Sequence, residues 1–217
     1  QVWLSPAFPV GGFAYSHGLE KAVEHRWVSD RATLEAWLAD LIVLGALPNE
    51  LILLAASWRA GKGATSPPLA DITDLAAALQ PSAERHLEAT QQGASFIAQI
   101  ESAWPTGACS WADAAKERTP THAVAVGFAA AAHDIPLTET LNAYAVAFIG
   151  NLMSAAIRLS IIGPTDAQRV TAAQVQRILA AAAQAERATL DDLGGAAWRS
   201  DLAAMQHETQ HTRLFRS

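Results

Sequence analysis

Near the end of the chain, His207-Glu208-Thr209-Gln210-His211 spells H-E-x-x-H. On a helix this spacing puts two imidazoles on one face, where they can hold zinc while the glutamate acts as general base. A catalytic zinc needs a third protein ligand. The segment that follows, Thr212-Arg213-Leu214-Phe215-Arg216-Ser217, contains no His, Asp, Glu or Cys. An upstream ligand such as His133 carries no marking. A zinc-dependent hydrolase through His207, Glu208 and His211 is therefore the disfavoured alternative. Other catalytic patterns are weaker still. The stretch Ala60–Ser66, AGKGATS, lacks the first glycine and the Ser/Thr of a phosphate-binding loop, and no G-x-S-x-G occurs. Glu20, Glu24 and Glu101 have no evident carboxylate partner for acid–base work. His17, His25, His86, His122 and His133 show no ligand spacing, and each is expected to be solvated or hydrogen-bonded. Cys109 is the single cysteine. It excludes an intrachain disulfide framework and is expected to be an inert thiol.

A second unusual stretch lies at the other end, LSPAFPVGGFAYSHGLE, Leu4 to Glu20. Pro6 and Pro9 forbid an early helix, and Gly11-Gly12 opens backbone angles that other residues resist. A helix is expected from about Phe13, with Gly18 in its first turns. A glycine there costs about 1 kcal/mol relative to alanine, so its presence fits either close approach by another helix or a partner backbone, or a simple N-terminal turn.

The elements that must position these ends are helical. Leu34, Trp37, Leu38 and Leu41 recur at i, i+3, i+4 and i+7 behind a capping Asp30. Pro48-Asn49 separates that helix from the next, and Gly61–Pro68 reads as a loop. Helical patterns resume over 71–79, 82–104, 121–133 and 138–162, the last closed by Gly163-Pro164. Thr171-Ala172-Ala173-Gln174 reads as a capping box opening 172–188. LDDLGGAAWRSD reads as a linker before a final helix over about 200–211. The expectation is an all-α, compact single domain spanning 1–217, of about nine helices with short loops. Trp37, Trp58, Phe96, Phe128, Tyr144 and Phe148 are expected to fill the core between alanine-rich helices.

Bulk numbers narrow the class. The chain of 217 residues is 51% apolar and 17% charged, with net charge −6 and pI about 5.6. Its cations are scattered, which argues against nucleic acid or an anionic membrane as partner. The window from Ala143 to Ile162 is apolar but alanine-dominated and carries Asn151 and Arg158, so it reads as a buried central helix rather than a span. No signal-peptide pattern opens the chain, which points to the cytoplasm, and a start at Gln1 suggests that a few residues precede it.

Four segments together resemble one family. SPAFPVGGFAYSHGLE is similar to the N-terminal signature of the urease accessory protein UreF family. HETQHTRLFRS resembles that family's closing H-E-x-Q-x-x-R-L-F-x-S. EATQQGASFI (Glu88–Ile97, with Gly93) and NLMSAAIRLSIIGPTDAQRV (Asn151–Val170, with Arg158) resemble its internal segments. The chain departs from the family pattern at Pro164, Ala167 and His211, the last at a place more often aromatic. The resemblance implies a non-enzymatic chaperone that forms a homodimer and binds UreD (also called UreH). It also implies recruitment of the GTPase UreG and delivery of nickel to apo-urease, with no tightly bound cofactor of its own. It further implies that 200–217 is a docking segment, with His207, Glu208, Gln210, Arg213, Leu214, Phe215 and Ser217 on the UreD side. Leu214 and Phe215 are then exposed anchors, and Arg213 is the residue expected to hold the assembly. Ser16, Gly18, Leu19 and Glu20 would face UreG or support that surface. Pro6, Pro9, Gly11, Gly12, Gly93 and Arg158 are expected to shape the motifs. A third reading, a bundle binding a small apolar ligand, also follows from the alanine-rich helices.

Overall fold

The computed structural model describes residues 2–107 and 110–217; Cys109, read above as an inert thiol, lies outside the described residues. Among the described residues there are ten α-helices and no strand. They are α1 (Leu19–Glu24), α2 (Arg31–Val43), α3 (Ala46–Gly61), α4 (Leu69–Ala78), α5 (Ala83–Ala103), α6 (Trp111–Ala115), α7 (His122–Ala132), α8 (Leu137–Arg158), α9 (Pro164–Ala185) and α10 (Trp198–His207). Short 3₁₀ turns at Val2–Leu4, Gly12–Ala14 and Leu190–Asp192 shape the connections.

Local chemistry accounts for the main boundaries. Asp30 caps α2 by accepting the Thr33 N–H at 2.8 Å, and the Thr33 hydroxyl completes a capping box. Pro48 sits inside the first turn of α3, where its missing N–H leaves no helical carbonyl unpaired. Pro164 stands at the start of α9 behind Gly163, a place where its fixed φ favours a helix.

The capping box expected at Thr171 does not form. α9 runs unbroken through it, because Ala167 and Val170 one turn earlier are already buried against the core. The Thr171 hydroxyl donates instead to the Ala167 carbonyl at 2.9 Å. Gln174 is buried and donates to the Glu35 carbonyl at 3.1 Å, tying α9 to α2.

One buried cluster extends from Leu19 to Phe215. Its centre is α7, where every residue from Ala123 to Val126 and from Ala129 to Ala131 is buried. α7 lies directly on α3: a Cβ on Gly127 would stand 2.3 Å from the Leu54 carbonyl oxygen. The Ser57 hydroxyl donates to the Val124 carbonyl across this contact at 2.7 Å. Small residues buy that closeness, and Trp37, Phe96, Tyr144 and Phe148 fill the space around it. Trp58 and Phe128 are only half-buried, Trp58 because its indole N–H reaches out to the Ile135 carbonyl. Arg31–Gly61 and α8 are long and apolar enough to cross a membrane, but 56% of each apolar window is buried inside this fold.

Candidate functional site: the two chain ends clasped together

Gly18 is not inside a helix. It precedes α1 with φ 75°, a left-handed angle, and a Cβ there would stand 2.8 Å from the Ala204 backbone nitrogen of α10. Of the two readings of this glycine, close approach holds, and it is made by the chain's own last helix. α10 in turn stops at His207 rather than continuing to His211. The H-E-x-x-H pair therefore shares no helical face. His207 is fully buried, while His211 lies exposed beyond the helix end. This geometry does not carry a zinc hydrolase.

The His207 ring is held between two carboxylates instead. Its Nδ1 lies 2.6 Å from Glu84 Oε2 and its Nε2 3.1 Å from Glu20 Oε2. Glu84 also pairs with Arg213 through its other oxygen. Glu20 accepts the Leu214 N–H at 2.6 Å and the Phe215 N–H at 2.9 Å. Beyond them, the Ser217 carbonyl accepts both the Ser16 N–H at 2.8 Å and the Ser16 hydroxyl at 2.5 Å. The Arg216 N–H donates to the Ala14 carbonyl at 2.8 Å. Glu208 accepts the Ala83 N–H at 2.7 Å and so caps α5.

The tail and the N-terminal motif thus form one clasp rather than two separate surfaces. Phe215 is 4% exposed, which corrects its reading as an exposed anchor; only Leu214, 57% exposed, faces out. Ser16, Gly18, Leu19, Glu20, Gln210 and Ser217 are buried as well. Arg158, at the end of α8, closes the clasp: it donates to the Phe13 carbonyl, and its guanidinium lies 4.3 Å from the Phe215 ring centre. Pro6 and Pro9 lie exposed in the segment leading to Gly11, which adopts φ 75°, and Gly12. Gly93 sits where a Cβ would stand 2.2 Å from the Pro120 carbonyl oxygen.

Below the clasp lies a buried ionic network. The Ser217 hydroxyl donates to Glu88 Oε2 at 2.6 Å, and Glu88 also takes Arg85 at 2.5 Å, His17 at 2.9 Å and Gln92 at 3.2 Å. Arg85 reaches Glu50 at 3.3 Å, and Glu50 accepts the Tyr144 hydroxyl at 2.8 Å. Burial alone would raise the Glu88 carboxyl, but Arg85 and His17 reverse this and hold it well below the usual carboxylate range. Burial and the facing Glu50 push the Tyr144 phenol well above its ordinary value. His122, read as solvated or hydrogen-bonded, is neither at Nε2, which is enclosed without a partner among the described residues; burial lowers its imidazole to about 4.

Glu84, Arg85, Glu88, Glu50, His17 and Tyr144 were missed as site residues. A signal was present on α5. Residues 88, 92, 96 and 100 share one helical face, and its first two positions are polar where the last two are Phe and Ile.

Comparison with known proteins agrees with the motifs. The UreF family model matches residues 28–176. Urease accessory protein UreF of Rhodopseudomonas palustris strain HaA2 is 47% identical over 215 residues, covering 99% of this chain and 91% of its own length. The proteins of the same name from Azorhizobium caulinodans and Methylobacterium radiotolerans are each 46% identical, over 99% of this chain and 93% and 94% of their own lengths. The family model covers the helical body and the relatives extend over both clasped ends, and the chain belongs to the UreF family of urease accessory proteins.

Proposed function

We propose that the chain is a non-enzymatic urease maturation chaperone of the cytoplasm. It binds UreD (UreH), recruits the GTPase UreG, and takes part in GTP-dependent nickel insertion into apo-urease. Nickel is cargo of the assembled complex on this reading, and the chain works as a homodimer. Family membership supports the general role. The observation that carries the partner assignment is the clasp, which holds both the tail and α10 against the N-terminal motif. Along α10, Trp198, Leu202 and Met205 follow at i, i+4 and i+7 and are 70%, 49% and 48% exposed. An outward apolar row of this kind on a helix suits a partner's groove. Leu214, Glu208 and Arg213 in the tail are exposed as well. Ser16, Gly18, Leu19 and Glu20 act from beneath, as support for the surface rather than as contacts.

The test is co-purification of the chain with UreD and UreG, with and without GTP, using Leu202→Asp and Leu214→Asp. Both positions are exposed, so the fold is expected to survive. Loss of UreD capture by these variants is the expected result. Capture equal to the unmodified chain by both would refute the assignment of this face. Sedimentation of the isolated chain tests the homodimer.

A further inference from the structure

A cleft of about 500 Å³ lies where the N-terminal segment, α5 and the tail meet. Pro9, Val10, Phe13 and Ala94 give it apolar surface, and Phe13 is 70% exposed. Its polar side chains are Tyr15, Gln91, Ser95 and Arg216, and Arg216 carries the one formal charge among the described lining residues. Arg213 and Arg85 are paired with carboxylates, whereas Arg216 forms no ion pair among the described residues. Its place is fixed all the same. The Ala14 carbonyl accepts the Arg216 N–H at 2.8 Å, and the flanking Phe215 and Ser217 are buried. The guanidinium donates to the Tyr15 hydroxyl oxygen.

The Tyr15 hydroxyl donates in turn to Gln91 Oε1 at 2.6 Å, which leaves the Gln91 amide N–H groups without a partner among the described residues. The Ser95 hydroxyl, able to donate or accept, and the backbone N–H groups of Gly11 and Phe13 are equally unpartnered there. The carbonyls of Gly11, Phe13, Ala14 and Tyr15 already accept, from the Ala14 N–H, Arg158, the Arg216 N–H and Asn151. Outside α5, the neutral carbonyls of Pro9 and Val10 remain as backbone acceptors. The lining therefore offers an excess of donors and a single positive charge. A cation would face the guanidinium with no carboxylate to offset it, whereas an anion gains charge-assisted hydrogen bonds. One guanidinium matches one negative charge, so a carboxylate fits better than a dianionic phosphate. The apolar surface beside it accommodates a hydrocarbon body.

We propose that this cleft binds a small organic carboxylate, with the carboxylate on Arg216, Gln91 Nε2 and Ser95 Oγ and the hydrocarbon body on Pro9, Val10 and Phe13. No residue of the cleft is among the partner contacts proposed above, so the site stands or falls separately from them.

Four probes test it: hydrocinnamate, phenethyl alcohol and phenethylamine, which share one body, and inorganic phosphate. Each is titrated into the full chain while NMR follows the side-chain amide of Gln91. Hydrocinnamate is expected to shift that signal saturably and to bind about tenfold or more tighter than the alcohol or phosphate, with no binding of the amine. Arg216→Gln removes the charge at an exposed position. It is expected to weaken hydrocinnamate about tenfold while circular dichroism and melting stay unchanged. The proposal is overturned if the alcohol or phosphate binds as tightly as hydrocinnamate, if the amine binds, if no probe saturates, or if Arg216→Gln binds hydrocinnamate undiminished.

Discussion

Glu20 is the residue whose loss tests the clasp most directly. It is 8% exposed and accepts from Leu214, Phe215 and His207 at 2.6, 2.9 and 3.1 Å. Each hydrogen bond to a charged group contributes roughly 1.5–3 kcal/mol. Releasing the tail also exposes the Phe215 ring, which forfeits about 2 kcal/mol of apolar burial. Freed amides regain water as partners, so the net loss for Glu20→Ala is expected at roughly 3–5 kcal/mol, the range for opening a buried charge cluster. Glu20→Gln keeps the volume and one acceptor, and is expected to fall about midway. Urea unfolding followed by circular dichroism reads the loss, and hydrogen exchange of residues 208–217 reads its location. The amides of Leu214 and Phe215 are expected to lose protection first, ahead of α3 and α7. A loss below about 1 kcal/mol for Glu20→Ala, with tail exchange unchanged, would show that the carboxylate does not hold the tail.

Three further outcomes are expected. His122 has a lowered value of about 4 against an ordinary 6.5. Between these values the unfolded chain binds a proton that the folded chain refuses. Stability is therefore complete above about pH 6.5 and falls as pH drops toward 4, by at most roughly 3 kcal/mol. His122→Leu is expected to flatten that part of the stability–pH curve, and an unchanged slope would contradict the assignment. Gly93→Ala drives a methyl into the Pro120 carbonyl and is expected to cost roughly 2–3 kcal/mol, read as a lowered urea midpoint; a midpoint equal to the unmodified chain's would mean that the backbone gives way there. His207→Ala strips both carboxylates of their shared partner and is expected to cost roughly 2–3 kcal/mol, whereas exposed His211→Ala stays within about 0.5 kcal/mol. Equal effects of the two histidines in thermal melts would refute their separation.

The helical body was legible because its signals are local. Asp30 and Thr33 cap α2 by contacts three residues apart, and the 3.6-residue spacing of Leu34, Trp37, Leu38 and Leu41 names the face that is buried. Thr171 misled for the same reason in reverse. Its pattern is a valid cap, but burial of Ala167 and Val170 made the preceding turn helical and left no free N–H to cap.

The helical class, most of the boundaries, and the family through motifs near both termini were readable from the residues alone. Gly18 left close approach and a simple turn as equal readings. Packing settled the matter: α10 of the same chain lies against Gly18. That contact turns H-E-x-x-H from a candidate metal pair into one buried histidine and one exposed one. Pairings such as Glu20 with Leu214 and Phe215, or Ser16 with Ser217, join residues nearly two hundred positions or more apart. No periodicity encodes them, because a carboxylate's partner depends on which backbone the fold brings to it, and that is settled by packing rather than by neighbours in the chain.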